Sequence, residues 1–249
     1  SAARIAQLVI EDSPHGESFR ILEIGPGTGA LTQALAGMHE DVTAIEVDAD
    51  MVRILRSRDD LQRAHIVEAD ALTFDYSAFA RDVPWRVTGN LPYNIATPLI
   101  MRFIEMPNGP QRLVVMVQKE VADRFAARPS TAAYGSLTLA VQYAMHVEKA
   151  FTLKPGAFYP RPKIDSTVMC LTRRERPAVD VRDEHRFLQV VRAAFAYRRK
   201  TLANSVSLAL GIPRAVIAQA LTRAGLDTEI RGEQLGLTDF ARLADHLPA

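Results

Sequence analysis

The first 120 residues alternate short runs rich in β-branched residues with stretches whose apolar residues recur at helical spacing. Such alternation is typical of a parallel sheet that is covered by helices on both faces. The pattern predicts strands at residues 20–24, 42–47, 65–68, 86–88 and 113–117. It predicts helices at residues 30–36, 50–58 and 97–104, the first of them directly after a glycine-rich turn. We therefore expect an α/β fold of the Rossmann-like type.

Beyond residue 117 the pattern predicts two helices, at residues 119–127 and 135–145, and a strand pair, at 147–153 and 166–172, that closes the sheet. Antiparallel pairing is compatible with these two strands. Residues 173–181 are charged, contain Pro177 and lack apolar periodicity, which indicates a linker. From Glu184 onward apolar residues recur at helical spacing, which predicts a small bundle of four or five helices. The sequence thus predicts two domains, residues 1–175 and 176–249.

The composition is that of an ordinary globular protein. Of the 249 residues, 48% are hydrophobic and 24% are charged, which argues against disorder. Because no apolar run approaches the roughly 20 residues that cross a bilayer, we expect no membrane association. The single cysteine, Cys170, excludes an internal disulfide, and its apolar strand favours a role as a small core residue. The chain shows no leading apolar segment of the signal-peptide type, so we expect a cytoplasmic protein.

Positive charge is concentrated toward the C-terminal end. The whole chain carries 30 Lys and Arg against 29 Asp and Glu, whereas residues 173–249 carry 13 against 9. Three basic residues within this part lie on a predicted helix, and we call them the basic triplet: Arg198, Arg199 and Lys200. A surface for an anionic partner and an ordinary solvated helix face are both open interpretations of the triplet.

A glycine-rich turn follows the first predicted strand, in residues 23–29 (EIGPGTG). Gly25 and Gly27 let the backbone come close to a ligand in front of the following helix. Glu46 ends the second predicted strand 21 residues after Gly25, a position that suits a carboxylate accepting hydrogen bonds from two ribose hydroxyls. Dehydrogenases that use NAD share this geometry, so the glycines alone leave a dehydrogenase and a methyltransferase open.

Asp70 comes directly after the third predicted strand. A carboxylate at this position can accept a hydrogen bond from the amino group of an adenine, although an Asp at such a turn is often a helix cap. The order of the motifs is more informative than Asp70 alone, because a glycine turn follows the first strand and an acidic residue follows each of the next two. This order favours an adenosine-containing cofactor that lies across the strand ends.

The most specific motif follows the fourth predicted strand, in residues 89–94 (GNLPYN). The exocyclic amine of adenine is a poor nucleophile because its lone pair is delocalised into the ring. The side-chain oxygen of Asn90 and the carbonyl of Leu91 can accept its two hydrogens and localise that pair. Pro92 fixes the turn, and Tyr93 can stack on a base held outside its helix. The structural alternative is an ordinary loop with Tyr93 in the core. A dehydrogenase would have no use for this turn, so the motif favours a methyltransferase.

Three segments resemble the bacterial small-subunit rRNA adenine dimethyltransferases, the kasugamycin-sensitivity family. They are residues 24–32 (IGPGTGALT), 90–98 (NLPYNIATP) and 158–166 (FYPRPKIDS). Shorter matches lie at 118–121 (QKEV), 133–135 (AYG) and 194–201 (AFAYRRKT), so the resemblance covers nearly the whole chain. It implies the sheet of a class I S-adenosylmethionine methyltransferase with a small all-α C-terminal domain. It also implies dimethylation of two adjacent adenosines in a small-subunit rRNA hairpin, within a pre-ribosomal 30S particle, by a monomer.

The resemblance implies a role for particular residues. The residues that would contact S-adenosylmethionine are Gly25, Gly27, Glu46, Asp70, Ala71 and Asn90. Those that would serve the target adenine are Asn90, Leu91, Pro92, Tyr93 and Phe158, the last stacking from the other side unless it is a core aromatic. Lys163 and the basic triplet would contact RNA phosphates. The family also carries an N-terminal arm with a Gly-Gln-Asn-Phe-type motif, ahead of the helix that residues 1–10 match.

Other functions remain open beside this one. The large-subunit rRNA methyltransferases of antibiotic resistance share the fold and the reaction, although residues 163–166 and 198–201 are closer to the small-subunit enzymes. A non-catalytic assembly or transcription factor could use the same fold to bind nucleic acid. The six histidines are scattered, without an i, i+4 pair or a nearby cysteine, so we expect no metal site.

Overall fold

A computed structural model describes residues 1–11, 18–80, 83–157 and 164–248, without the side chains of Ala78, Tyr93 and Ala157. The described residues form two compact units. The first comprises residues 1–122 and 146–173, and the second comprises residues 123–145 and 174–249.

The first unit is built on a seven-stranded sheet. Its strands are β1 (Arg20–Ile24), β2 (Val42–Glu46), β3 (Ala64–Glu68), β4 (Trp85–Asn90), β5 (Arg112–Gln118), β6 (Met145–Leu153) and β7 (Ser166–Arg173). Their order in the sheet is β3-β2-β1-β4-β5-β7-β6. Strands β1 to β5 are parallel to one another, whereas β7 is antiparallel to β5. The α/β fold and the closing strand pair expected from the sequence are confirmed.

Helices accompany the strands. Those of the first part of the chain are α1 (Ala2–Ile10), α2 (Ala30–Ala36), α3 (Ala49–Arg56), α4 (Tyr93–Glu105) and α5 (Lys119–Phe125). α1 packs on the sheet through Ile5 and Val9, which join a core with Ile21 and Cys170. Trp85 is also buried. The burial predicted for Cys170 from its apolar strand is therefore found.

Two predicted boundaries change at the functional edge. The predicted strand 86–88 extends to Asn90, because Gly89 pairs with Ile24 on β1 and Asn90 pairs with Met116 on β5. The predicted helix 97–104 begins instead at Tyr93, because Pro92 provides its N-cap and Pro98 lies inside the helix. As a result, Leu91 and Pro92 alone connect β4 to α4.

The second unit is helical. Its helices are α6 (Ser136–Ala144), α7 (Glu184–Ala196), α8 (Leu202–Leu210), α9 (Arg214–Arg223) and α10 (Leu237–His246). They share a core that includes Tyr143 and Phe187, whose rings lie 4.9 Å apart. The predicted domain of residues 1–175 differs from this division at residues 123–145, because α6 packs with the C-terminal helices.

Candidate cofactor and target-base site

The glycine turn leaves β1 at the edge where all five parallel strands have their carboxyl ends. Gly25 and Gly27 have φ angles of +64° and +54°, which side chains disfavour. A Cβ atom built on either glycine would meet no atom within 4 Å. Backbone conformation, and not crowding, therefore requires glycine here, and open space borders the turn where a ligand can approach the backbone.

Glu46 ends β2 beside the glycine turn and is half-buried. Its Oε1 accepts hydrogen bonds from the backbone N–H groups of Val47, at 2.9 Å, and Asp48, at 3.1 Å. Among the described residues no donor is bonded to Oε2. The carboxylate is thus held in one orientation by its own turn, and its second oxygen remains available to hydroxyl donors.

Asp70 lies on the exposed loop after β3, next to the buried Ala71. Its Oδ1 accepts a hydrogen bond of 2.8 Å from the backbone N–H of Leu72. No helix begins here, since residues 71–73 form a turn, so this bond closes a local turn and does not cap a helix; it occupies one oxygen of the carboxylate. The backbone N–H of Ala69 donates to the carbonyl of Glu46 at 2.9 Å, which ties the loop to the end of β2.

Two exposed apolar residues flank these acids and were missed from the sequence. The side chain of Val47, directly after Glu46, is 68% exposed, and that of Leu72, two residues after Asp70, is 40% exposed. They follow the neighbouring strands β2 and β3. Apolar side chains on two adjacent loops suit the faces of a flat ring such as adenine. In the sequence, the signal that could have identified these two residues is an apolar residue close to an acidic residue at the end of a predicted strand.

Gly89 brings the next turn against β1. Its φ angle is +151°, and a Cβ atom here would overlap the carbonyl oxygen of Ile24 and lie 3.2 Å from the carbonyl carbon. Only glycine therefore permits the pairing of Gly89 with Ile24, the residue before Gly25. As a consequence, the exposed Asn90 leaves the sheet from the strand beside the glycine turn.

The connection between β4 and α4 offers hydrogen-bond acceptors from its backbone as well as from a side chain. Leu91 is buried, and its N–H donates to the carbonyl of Met116 at 3.1 Å. Its own carbonyl accepts no hydrogen bond from the described residues. Pro92 has φ −55° and ψ 144°, and its carbonyl accepts from Ile95 and Ala96. Asn90 and the carbonyl of Leu91 thus both offer acceptors next to the glycine turn.

Three predicted site groups lie outside the described part of the chain. They are the side chain of Tyr93 and the residues Phe158 and Lys163. The backbone of Tyr93 is described, and it is the first residue of α4.

Glu23 is a further acidic residue at this edge that the sequence analysis did not single out. It lies in β1 two residues before Gly25, and its side chain is buried. Its Oε2 has no hydrogen-bond partner among the described residues. Burial raises the pKa of Glu23 to about 7, and the hydroxyl of Thr32 opposes this effect more weakly.

The basic triplet lies in the second unit, and its predicted helical position is wrong. α7 ends at Ala196, and residues 197–200 form the turn before α8. The helix stops because the N–H of Tyr197 is bonded to the side chain of Ser205 and the N–H of Lys200 to the carbonyl of Tyr197. All three basic residues are exposed, and with Tyr197 they line a surface cavity of about 470 Å³.

Within the described ranges, no group of three or more His, Cys, Asp and Glu side chains is arranged to hold a metal ion. In the same part of the chain, every helix is too short or too polar to cross a lipid bilayer.

Comparisons with known proteins identify the family of this chain. The family model of ribosomal RNA adenine dimethylases matches residues 3–247. The ribosomal RNA small subunit methyltransferase A of Streptococcus mutans is 44% identical over 252 residues, covering 98% of this chain and 87% of the relative. The protein of the same name from Streptococcus thermophilus is 41% identical, with the same coverage.

Two solved structures share the fold over nearly the full length. A dimethyladenosine transferase from Plasmodium falciparum superposes with a TM-score of 0.81 and 26% identity, covering 96% of this chain and 94% of that one. The 23S rRNA methyltransferase ErmE superposes with a TM-score of 0.74 and 26% identity, covering 99% and 96%. On the family match and these relatives, the chain belongs to the ribosomal RNA adenine dimethylase family.

Proposed function

We propose that the chain dimethylates the N6 amines of two adjacent adenosines in a hairpin of small-subunit rRNA, with S-adenosylmethionine as the methyl donor. One observation carries the proposal. The glycine turn and the Asn90 turn leave neighbouring strands at the same edge of the sheet, where Ile24 pairs with Gly89. In a member of the rRNA adenine dimethylase family, this arrangement supports a methyl donor and a target amine that meet at this edge.

The residues at this edge fit the cofactor. When bound, S-adenosylmethionine supplies a methyl group on a positively charged sulfur, which is a strong electrophile. The open backbone of Gly25 and Gly27 would border its amino-acid part, and Oε2 of Glu46 would accept from the ribose hydroxyls. The unpartnered buried oxygen of Glu23 favours a positively charged ligand at the same edge.

The loop after β3 would bind the adenine ring of the cofactor. The free oxygen of Asp70 would accept from the amino group, and the backbone N–H of Ala71 would donate to a ring nitrogen. Val47 and Leu72 would cover the two faces of the ring with apolar surface. Hydrogen bonds at the edge of the ring select adenine, while the apolar contacts contribute affinity for any flat base.

The target adenine would be held by the turn between β4 and α4. The side-chain oxygen of Asn90 and the unpaired carbonyl of Leu91 would accept the two N6 hydrogens and polarise the amine. Pro92 restricts the backbone that aims this carbonyl. Stacking of the base between Tyr93 and Phe158 is proposed from the sequence, since a base outside its helix needs a π surface.

The RNA would be held through its phosphates by Lys163 and the basic triplet. The triplet supports this role because it is exposed and no acidic residue of the described ranges lines its cavity. We further propose that the substrate is the rRNA within a pre-ribosomal 30S particle, that the protein acts as a monomer, and that it acts in the cytoplasm. The small-subunit substrate is favoured over the large-subunit one by identity, 41–44% against 26%.

The test is methylation of purified subunits. Unmethylated small ribosomal subunits and, separately, large subunits are incubated with the protein and labelled S-adenosylmethionine, and the rRNA is digested to nucleosides. We expect labelled N6,N6-dimethyladenosine at two adjacent positions of the small-subunit rRNA, and Asn90→Ala should form little of it. Label only in large-subunit rRNA, or none in either RNA, would contradict the proposal.

A further inference from the structure

Arg102 connects the helix after the target-base turn to the loop that carries Asp70. It lies in α4, and its guanidinium reaches the residues after β3. Nη1 donates to the carbonyl of Leu72 at 2.7 Å and Nη2 to the carbonyl of Phe74 at 2.9 Å. A longer contact of 3.5 Å joins Nη1 to the carbonyl of Ala71. A single side chain therefore contacts three backbone carbonyls of one loop.

Tyr76 strengthens this attachment. The guanidinium of Arg102 lies over the ring of Tyr76, 4.8 Å from its centroid, and the Tyr76 hydroxyl donates to the carbonyl of Ala71 at 2.6 Å. Burial raises the pKa of this hydroxyl above its ordinary value, so it keeps its proton and remains a donor. The carbonyl of Ala71 is thus held from two sides by groups anchored in the core and in α4.

The restrained carbonyl fixes the orientation of Asp70. The carbonyl of Ala71 and the N–H of Leu72 belong to one planar peptide group, so holding one end orients the other. That N–H donates to Oδ1 of Asp70 at 2.8 Å. Arg102 reaches this peptide group through its 3.5 Å contact with the carbonyl of Ala71, and its shorter bonds to the carbonyls of Leu72 and Phe74 hold the residues that follow. Together with Tyr76, these contacts restrain the peptide group that binds the carboxylate of Asp70.

We propose that Arg102 is a positioning residue, which holds the loop of residues 70–74 so that Asp70 recognises the 6-amino group of the cofactor's adenine. The inference rests on the function proposed above, in which Asp70 accepts that hydrogen bond. In this role Arg102 acts through the loop and makes no contact of its own with the cofactor. Because α4 begins at Tyr93, the helix that follows the target-base turn also orients the adenine loop.

The experiment measures how well the protein distinguishes two ligands. S-Adenosylhomocysteine carries the 6-amino group, and S-inosylhomocysteine has a carbonyl oxygen in its place. Their dissociation constants are measured by calorimetry, and their ratio reports recognition of the amine independently of methyl transfer. We expect the wild-type protein to prefer S-adenosylhomocysteine by about tenfold or more, since a charged acceptor loses its donor in the inosine compound. Asp70→Asn should lower the ratio strongly.

Arg102→Met keeps the length and apolar packing of the side chain and removes its donors. We expect its ratio to fall to within about threefold, mainly through weaker binding of S-adenosylhomocysteine. A purely structural role would weaken both ligands equally and leave the ratio unchanged. The matched control is Arg56→Met, because Arg56 donates to the carbonyl of Ile66 on β3 at 3.2 and 2.8 Å without reaching the loop. Its ratio should stay at the wild-type value.

The outcomes separate the inference from the proposed function. If wild type and Asp70→Asn show the same ratio, Asp70 does not recognise the amine, and both that role and the inference fail. If Asp70→Asn lowers the ratio and Arg102→Met does not, the inference alone is wrong. Should Arg102→Met not fold, Arg102→Lys replaces it. The single ammonium of lysine cannot donate to the carbonyls of Leu72 and Phe74 together, as the guanidinium does. The ratio of dissociation constants for Arg102→Lys must therefore lie between those of wild type and Asp70→Asn, and a wild-type ratio for this variant overturns the inference.

Discussion

Glu23 should make the stability of this protein depend on pH in a direction opposite to that of most acidic residues. The side chain is 1% exposed, and burial raises its pKa from 4.5 to about 7. Between these two values the unfolded chain has released the proton and the folded chain still holds it. Folded protein therefore binds more protons in this window, and its free energy of unfolding falls as the pH rises from 4.5 to 7. Above that window the effect is complete and constant.

Glu23→Gln removes this dependence while preserving the shape of the side chain. A pKa difference between 4.5 and about 7 corresponds to about 3 kcal/mol, and the nearly complete burial of Glu23 means that little of it is screened by solvent. Part of this effect is already lost at pH 5, so the free energy of unfolding of the variant minus that of wild type should be about 2.5 kcal/mol larger at pH 8 than at pH 5.

Urea denaturation followed by circular dichroism at pH 5 and pH 8 measures the effect. The control is Glu68→Gln, because Glu68 is exposed on the neighbouring part of the same sheet and stays hydrated when charged. The control should shift stability equally at both pH values. An equal shift at both pH values for Glu23→Gln would show that the buried carboxyl keeps an ordinary pKa, and the reasoning from burial would be refuted.

Four further predictions concern the site and the basic triplet. Gly89→Ala should destabilise the protein by about 3–5 kcal/mol in urea denaturation, because its Cβ would overlap the carbonyl of Ile24. The control Gly211→Ala should cost only about 1–2 kcal/mol, because Gly211 has φ +70° but no atom within 4 Å of the added Cβ, and equal destabilisation by the two variants would contradict the steric account. Glu46→Ala should weaken binding of S-adenosylhomocysteine by about 1.5–3 kcal/mol in calorimetry without unfolding the sheet, and an unchanged affinity would remove Glu46 from the site. Replacing the basic triplet by glutamines should reduce the log–log salt slope of RNA binding by about 0.7–0.9 for each phosphate that the protein no longer neutralises, and an unaltered slope would make the triplet a solvated turn. Asn90→Ala should slow single-turnover methylation by about 2.7–4 kcal/mol with RNA affinity retained, and a wild-type rate would exclude Asn90 as an acceptor for the amine.

The elements closest to the glycine turn were predictable because their signals are local. The strand before it is an apolar run, and the helix after it begins where the glycines end, so the predicted bounds of β1 and α2 equal the observed ones. The position of Asn90 was harder. Glycine and asparagine are poor strand formers, and the sequence pattern ends the strand at residue 88. In the fold, pairing with β1 and β5 extends the ladder through both residues, because tertiary pairing outweighs propensity.

Two differences between the predicted and the observed organisation have the same origin, in contacts between residues that are distant in sequence. The predicted domain of residues 1–175 absorbed residues 123–145, whose helical pattern is as compatible with a helix on a sheet as with one in a bundle. Burial of Leu139 and Tyr143 among the C-terminal helices decides between these, and no local signal reports it. The helical spacing of the apolar residues from Glu184 onward predicts a helical position for the basic triplet. The side chain of Ser205, eight residues later, bonds the N–H of Tyr197 instead.

The composition of the site was easier to predict than its orientation. Parallel strands bring their carboxyl ends to one edge, so a residue at the end of a strand lies at that edge whatever surrounds it, and this places Gly25, Glu46 and Asn90 at the edge by topology alone. Orientation depends on a second layer of contacts. The carboxylate of Asp70 accepts from a peptide group that Tyr76 and Arg102 contact, and Arg102, 32 positions later, looks in the sequence like any polar residue of an amphipathic helix. Residues at this edge can therefore be predicted from where the strands end, whereas the contacts that would orient them become visible only when the helix is packed on the loop.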